Sequence, residues 1–272
     1  DLLEAIIQVG QGACMTPVHP NEEHQSFFYP NSGENLVYAI GYKLTTTTGA
    51  PISFDLPDIY RPHFNVKFEN ITRNLPPGEA GRIVFDEDFP LPQITTNNPH
   101  GIKFGWDGRI DGTTEVAPMG EYRVRAVLSE LELPGLIAGI PKYNLDGFKL
   151  VNYNNPLGGY NGFDTFKKPN HYGPAGNGLD WHHIVEKNKL RSEGGPFDNA
   201  AVNHIANLVP VLSEVNRVTL RGYLGERYDG TSEQLNYLNT NGLPLRQWLR
   251  TQDFDTNHRI GVLMMRRAGI AI

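Results

Sequence analysis

Apolar and polar residues alternate in short runs over the first half of the chain. Leu36-Val37-Tyr38-Ala39-Ile40-Gly41-Tyr42-Lys43-Leu44 opens the series, and Phe64-Asn65-Val66-Lys67-Phe68 and Gly81-Arg82-Ile83-Val84-Phe85 follow. Ile102-Lys103-Phe104-Gly105-Trp106 and Tyr122-Arg123-Val124-Arg125-Ala126-Val127 complete it. Successive side chains of a strand point to opposite faces, so this period predicts strands buried on one side. Turn residues such as Pro76-Pro77-Gly78 and Asn97-Asn98-Pro99 separate the runs. Short strands at this spacing predict an antiparallel β-sandwich over residues 34–133. Residues 1–33 form a mixed N-terminal segment, in which Met15-Thr16-Pro17-Val18-His19-Pro20 cannot be a helix interior. Residues 134–175 are rich in Gly, Asn and Pro and read as a connector.

The period changes in the last part, residues 176–272. Ser213 is placed to cap a helix, Glu214 suits its first turn, and Val215, Val218 and Leu220 supply an apolar stripe. Further helices are expected around Ser232–Leu238, Pro244–Thr251 and Ile260–Ala268. The expected fold is a mainly β N-terminal sandwich followed by an α+β domain.

Composition changes this picture little, and charge changes it more. The 29 glycines and 20 prolines suit many turns and short strands. No run approaches eighteen apolar residues, so no transmembrane helix is expected. The chain shows no initiator Met and no signal peptide, and Asp1-Leu2-Leu3-Glu4 reads as the interior of a larger parent polypeptide. Cys14 is the single cysteine, which excludes an intrachain disulfide and a cysteine zinc site. A net charge of −6 argues against a nucleic-acid partner. Residues 1–175, however, carry 13 Lys+Arg against 20 Asp+Glu, whereas residues 176–272 carry 11 against 10. The acidity belongs to the front, which removes the objection for the back.

The chemistry-bearing stretch is Leu179-Asp180-Trp181-His182-His183-Ile184-Val185-Glu186. Phe197–Val211 and Leu212-Ser213-Glu214-Val215-Asn216-Arg217 follow it. It reads as a strand ending in paired imidazoles, a loop, a second apolar strand and a helix. Such a hairpin packed on a helix can assemble His183, Asn207 and Asn216 from three elements. A neutral imidazole can take a proton from water near neutral pH. A divalent cation can offset charge on a phosphodiester's leaving oxygen, and an imidazole with an amide oxygen can supply two of its ligands. A His-His pair alone means little; the order and spacing of all these residues together carry the weight.

With Trp181 ahead of the pair, residues Leu179–Val218 resemble the HNH (His-Me finger, ββα-metal) nucleases, and among them the Trp-His-His nucleases of bacterial polymorphic toxins. The Asn-x8-Asn interval from Asn207 to Asn216 matches that family's spacing. The resemblance implies that His183 is the general base, Asn207 its orienting residue, and His182 and Asn216 metal ligands. Asn216 stands where His is frequent in these toxins, which favours Mg2+ over Zn2+, Ni2+ or Mn2+. His204 and Glu186 are accessory candidates, and Lys187, Lys189, Arg191, Arg217 and Arg221 are candidate phosphate contacts. His171 is read as structural, and Asp55, Asp58 and Asp86-Glu87-Asp88 as solvated charges.

A second resemblance lies in the front half. Trp106-Asp107-Gly108-Arg109 followed by Pro118-Met119-Gly120-Glu121-Tyr122-Arg123-Val124 resembles the end of immunoglobulin-like domains of the flagellar-hook-capping type. It implies a spacer or docking module. The two resemblances together imply an endonuclease, with DNA favoured and RNA open. It would form the toxin end of a secreted or injected effector acting in the target-cell cytoplasm, restrained by an acidic cognate immunity protein. The competing expectation from another class is a non-catalytic binding module whose functional part is the sandwich.

Overall fold

A computed structural model of the chain describes residues 6–15, 27–45, 63–72, 78, 81–90, 100–128, 142–156, 178–187, 195–233, 235–270 and 272. It combines antiparallel sheets with short helices, in two compact units. One comprises Asp1–Ala117 with Glu121–Phe148, the other Pro118–Gly120 with Lys149–Ile272. Among the described residues no helix is long and apolar enough to cross a membrane.

The first unit holds two sheets. Strands β1 (Ile6–Met15), β3 (Leu36–Thr45) and β6 (His100–Trp106) form one, in the order β1-β3-β6, with antiparallel pairing throughout. The other contains β2 (Phe27–Phe28), β4 (His63–Asn70), β5 (Ile83–Pro90), β7 (Gly120–Leu128) and β8 (Lys142–Leu150), in the order β2-β8-β7-β4-β5. Strand β4 shows how the alternation works. Phe64, Val66 and Phe68 are buried, while His63, Asn65 and Lys67 are half-buried. Phe68 is the hub of an aromatic core. Its ring lies 5.4 Å from Tyr38 and 5.2 Å from Trp106 on one sheet, and 4.6 Å from Phe85 and 5.5 Å from Phe148 on the other. Large rings in offset and edge contacts bury much apolar area and fix the geometry.

The Trp106-Asp107-Gly108-Arg109 stretch is a tight turn. Trp106 Nε1 donates to the Arg109 carbonyl at 2.7 Å, and the Asp107 carboxylate accepts from the Arg109 amide at 3.0 Å. Gly108 has φ +86°, and a Cβ there would lie 2.3 Å from Pro30 Cβ, so only glycine fits. Asp86-Glu87-Asp88 lie on β5, where Asp86 pairs with Lys67 at 2.7 Å, and Asn65 donates to both aspartates.

Two sequence expectations are corrected in this region. Residues 1–33, read as mixed, contain β1 and β2, and the expected connector 134–175 contains β8. Asp55, Asp58 and the Gly/Asn/Pro-rich stretch 157–177, with His171, lie outside the described residues.

In the second unit, β9 (Leu179–His183) pairs antiparallel with β10 (Leu208–Leu212), setting His183 opposite Leu208 and His182 opposite Val209. Between them run α1 (Asn199–Val202) and the 3-10 turn Ile205–Asn207. A π-helical segment, Val215–Leu220, leads into α2 (Arg221–Tyr223). Helices α3 (Leu245–Leu249) and α4 (Phe254–Arg267) complete the unit. Asp253 caps α4 by accepting from the Thr256 amide at 2.8 Å. At its crossing with the exit of β9, Gly261 comes so close that a Cβ would lie 2.6 Å from the Ile184 carbonyl oxygen.

Two helix signals are corrected here. Ser213 does not cap the following helix; its hydroxyl donates to Asp180 at 2.9 Å. Nor do Ser232–Leu238 form a helix. Leu235, Asn236 and Tyr237 have φ of 54°, 53° and 56°, a left-handed turn closed by Leu238 N–H on the Leu235 carbonyl.

Candidate active site

The residues after β9 are locked by one side chain. Asn207 is fully buried; its Oδ1 accepts from the Val185 amide at 2.7 Å. Its Nδ2 donates to the Val185 carbonyl at 3.1 Å and to the Val202 carbonyl at 2.7 Å. The Ile184 amide donates in turn to the Asn207 carbonyl at 2.9 Å. A single amide thus joins the exit of β9 to the end of α1, which fixes where His183 leaves the strand.

His182 and His183 line an open cleft of about 300 Å³ with Trp181, Glu186 and Lys187. Asn216, Arg217, Leu220 and Arg221 of the π-helix and α2, Leu224 just after them, and Arg246 at the start of α3 line it as well. A π-turn often marks a functional segment, and here it carries Asn216 and Arg217. Among the described residues, four cations and one carboxylate line this cleft.

His183 Nε2 lies 3.0 Å from Asn203 Oδ1, and Asn203 Nδ2 donates to Asn199 Oδ1 at 2.6 Å. Asn203, not Asn207, therefore touches the imidazole proposed from sequence as the base. Asn207 acts one step back, on the backbone. Burial holds the His183 pKa below its ordinary value; the Asn203 contact opposes this, and the Lys187 charge adds to it. His182 is lowered too, by burial first, against the pull of Asn216. Both imidazoles are accordingly neutral at neutral pH, the form that can bind a metal or accept a proton.

His182 Nδ1 lies 2.9 Å from Asn216 Oδ1. The amide is oriented from behind. Asn216 Nδ2 donates to Asp180 Oδ2 at 3.3 Å, and Arg217 forks onto the same carboxylate at 3.0 and 3.1 Å. A carboxylate only accepts, so it draws the NH2 of Asn216 and turns the oxygen toward His182. The Arg217 and Ser213 hydrogen bonds hold the Asp180 pKa below the usual carboxylate range. Among the described residues no three His, Cys, Asp or Glu side chains cluster as metal ligands. The His182–Asn216 pair nonetheless fits a hard cation. An imidazole nitrogen and an amide oxygen stand side by side there, and water could complete the shell.

The remaining candidates divide. Glu186 lies at the cleft, paired with Arg246 at 2.8 Å. His204 is buried away from it, where its Nδ1 accepts from the Ala206 amide at 3.2 Å and caps the 3-10 turn. Lys187, Arg217 and Arg221 line the cleft, while Lys189 and Arg191 lie outside the described residues. Sequence reading missed Asp180, Asn203 and Arg246. Asp180 carried a signal, since two residues apart on a strand share a face with His182. Arg246 is sixty residues downstream of Glu186 and carried none.

No protein-family model and no curated protein matches the chain. Among solved structures it is similar to the crystal structure of a β-glucosidase from Listeria innocua in complex with isofagomine. The identity is 12% and the TM-score 0.28, over 54% of this chain and 16% of that one. The chain thus spans about a sixth of that enzyme's length, and a likeness this slight carries no argument about fold or function.

Proposed function

We propose that the second unit is a metal-dependent endonuclease of the HNH, ββα-metal type, with His183 as general base. One observation supports this above the others. His182, His183 and Asn216, which the sequence resemblance points to, line a single cleft with four cationic side chains. Such a cleft suits a phosphodiester, whose backbone charge dominates affinity.

In this reading His183, neutral and steadied through Nε2 by Asn203, takes a proton from the attacking water. Asn207 keeps the backbone below it in place. His182 and Asn216 would hold a divalent cation, Mg2+ in preference to Zn2+, Ni2+ or Mn2+, and that ion would supply positive charge to the phosphate and the leaving oxygen. Asp180 orients Asn216 through its amide. Lys187, Arg217 and Arg221 meet neighbouring phosphates.

The first unit is read as an immunoglobulin-like β-sandwich, its two sheets closed over the Phe68 core, serving as a spacer or docking module. The whole is read as the toxin end of a larger secreted or injected effector, acting on DNA in the cytoplasm of a target cell. A cognate immunity protein, acidic where it covers the cationic cleft, would restrain it. Complementary charge speeds association, so that complex should form more slowly as salt rises. The deciding experiment incubates the purified chain with plasmid DNA, and separately with RNA, in Mg2+ or in chelator. Cleavage in Mg2+ that chelator abolishes and His183→Ala loses is the expected result. Intact nucleic acid under every condition would leave a binding module as the better reading.

A further inference from the structure

Arg246 lies outside the segment that resembles a nuclease, yet it lines the cleft beside His182 and His183. Three contacts put it there. The Leu245 amide donates to the Glu226 carbonyl at 2.8 Å and the Arg246 amide to the Leu224 carbonyl at 2.9 Å, which ties the start of α3 to the turn after α2. Glu186 then takes the guanidinium side-on, through Nε at 3.3 Å and Nη2 at 2.8 Å. A guanidinium carries five N–H donors in a rigid plane. The side-on pair fixes that plane and leaves the Nη1 end outside it. Arg217 is held by Asp180 in the same manner but is 71% exposed on its side chain, against 36% for Arg246. Arg246 is thus the more enclosed of the two forked arginines at the cleft. It also neutralises Glu186, whose bare carboxylate would repel an incoming phosphate.

Resting on the nuclease reading above, we infer that Arg246 is a phosphate-binding residue of the cleft, clamped by Glu186 to present its guanidinium to one phosphodiester of the DNA backbone. The pair is preorganised: the fork needs no reordering when the phosphate arrives, and a lysine at this position would not reproduce it.

Binding of a short random-sequence DNA duplex tests this without turnover, using the full chain with His183→Ala in place and fluorescence anisotropy across a salt series. Arg246→Gln should lower the slope of log affinity against log salt by about one and weaken binding about fivefold at 150 mM salt, as loss of one phosphate contact requires. Arg246→Gln combined with Glu186→Gln guards against a folding defect, because it leaves no unpaired carboxylate and leaves the net charge unaltered. It should show the same loss of slope. A wild-type slope in the double variant, or in folded Arg246→Gln, would mean that the pair is structural, and would overturn the inference alone. No duplex binding by the His183→Ala parent would overturn the nuclease reading together with it.

Discussion

His183 and Asn207 show how differently two residues of one site can act. His183 lines an open cleft, half-buried, with Asn203 on its Nε2. On the proposed reading His183 is the base, and His183→Ala should lower cleavage by about a hundredfold or more, the usual effect of removing a positioned base, in protein shown by its melt to be folded. Added metal should not restore it. His182→Ala and Asn216→Ala should instead weaken metal binding, so a metal titration should recover part of their activity; equal affinity in calorimetry would refute that division of roles. Asn207 is fully buried with three backbone partners. Asn207→Ala strands an amide and two carbonyls away from water, which should cost about 2–3 kcal/mol or more in urea unfolding. Loss of activity there should track loss of fold. The pair of histidines was legible in the sequence because a contiguous motif carries them. Asn203 was not, because its bond to His183 depends on where α1 turns, and no local pattern encodes that.

The strands were the most legible elements. Alternation over Phe64–Phe68 becomes β4, and burial follows the alternation residue by residue. Strand β8 escaped notice because Gly- and Asn-rich sequence surrounds it, and β8 takes its hydrogen bonds from β2 and β7 rather than from its own period. Helices were legible where a stripe is long, as in α4, and the helix expected after Ser213 forms, although Ser213 does not cap it. The packing of α4 on the exit of β9 gives an element-level prediction. Gly261→Ala would drive a methyl into the Ile184 carbonyl, displacing the residue beside His183. We expect a loss of about 1–3 kcal/mol, typical of overpacking, and lower cleavage per folded molecule. Gly222, in α2, has nothing within 4 Å of its missing Cβ. Gly222→Ala should therefore stabilise the protein, by about 0.5–1 kcal/mol. Parallel thermal melts of the two variants give opposite signs if the close approach is real.

At the scale of the whole molecule, His258, like His182 and His183, makes stability depend on pH, and its shift is large. His258 is fully buried on α4, its Nε2 2.8 Å from the Ala206 carbonyl, and burial pushes its pKa from 6.5 down to about 3. The unfolded chain thus binds a proton on this residue at a higher pH than the folded chain does. Its contribution to stability is fully present above about pH 6.5 and is lost as pH falls toward 3. Between pH 7.5 and pH 5 the loss should be about 2 kcal/mol. Urea midpoints measured across that range should fall for the wild type and fall less steeply for His258→Gln, the remainder belonging to His182 and His183; parallel curves would show that His258 does not contribute. The charge split between front and back, visible in the sequence, matters at this scale as well. It leaves the cationic cleft in the one part of the chain that is not acidic overall.

The left-handed turn at Leu235, Asn236 and Tyr237 turns a common rule of protein engineering around. Stability is ordinarily raised by adding atoms, filling a void or shortening the list of shapes the unfolded chain can take. In this turn each Cβ is itself the burden, at roughly 1–2 kcal/mol per left-handed residue. Tyr237 is half in water, and its hydroxyl donates to Glu233 at 3.2 Å. Tyr237→Gly discards that exposed contact and the strain together, so the smallest side chain should give the longer-lived protein. A rise in melting temperature for Tyr237→Gly, with cleavage unchanged, would make this turn the place to begin hardening the molecule. A fall would mean that the ring is worth more than the backbone pays for it.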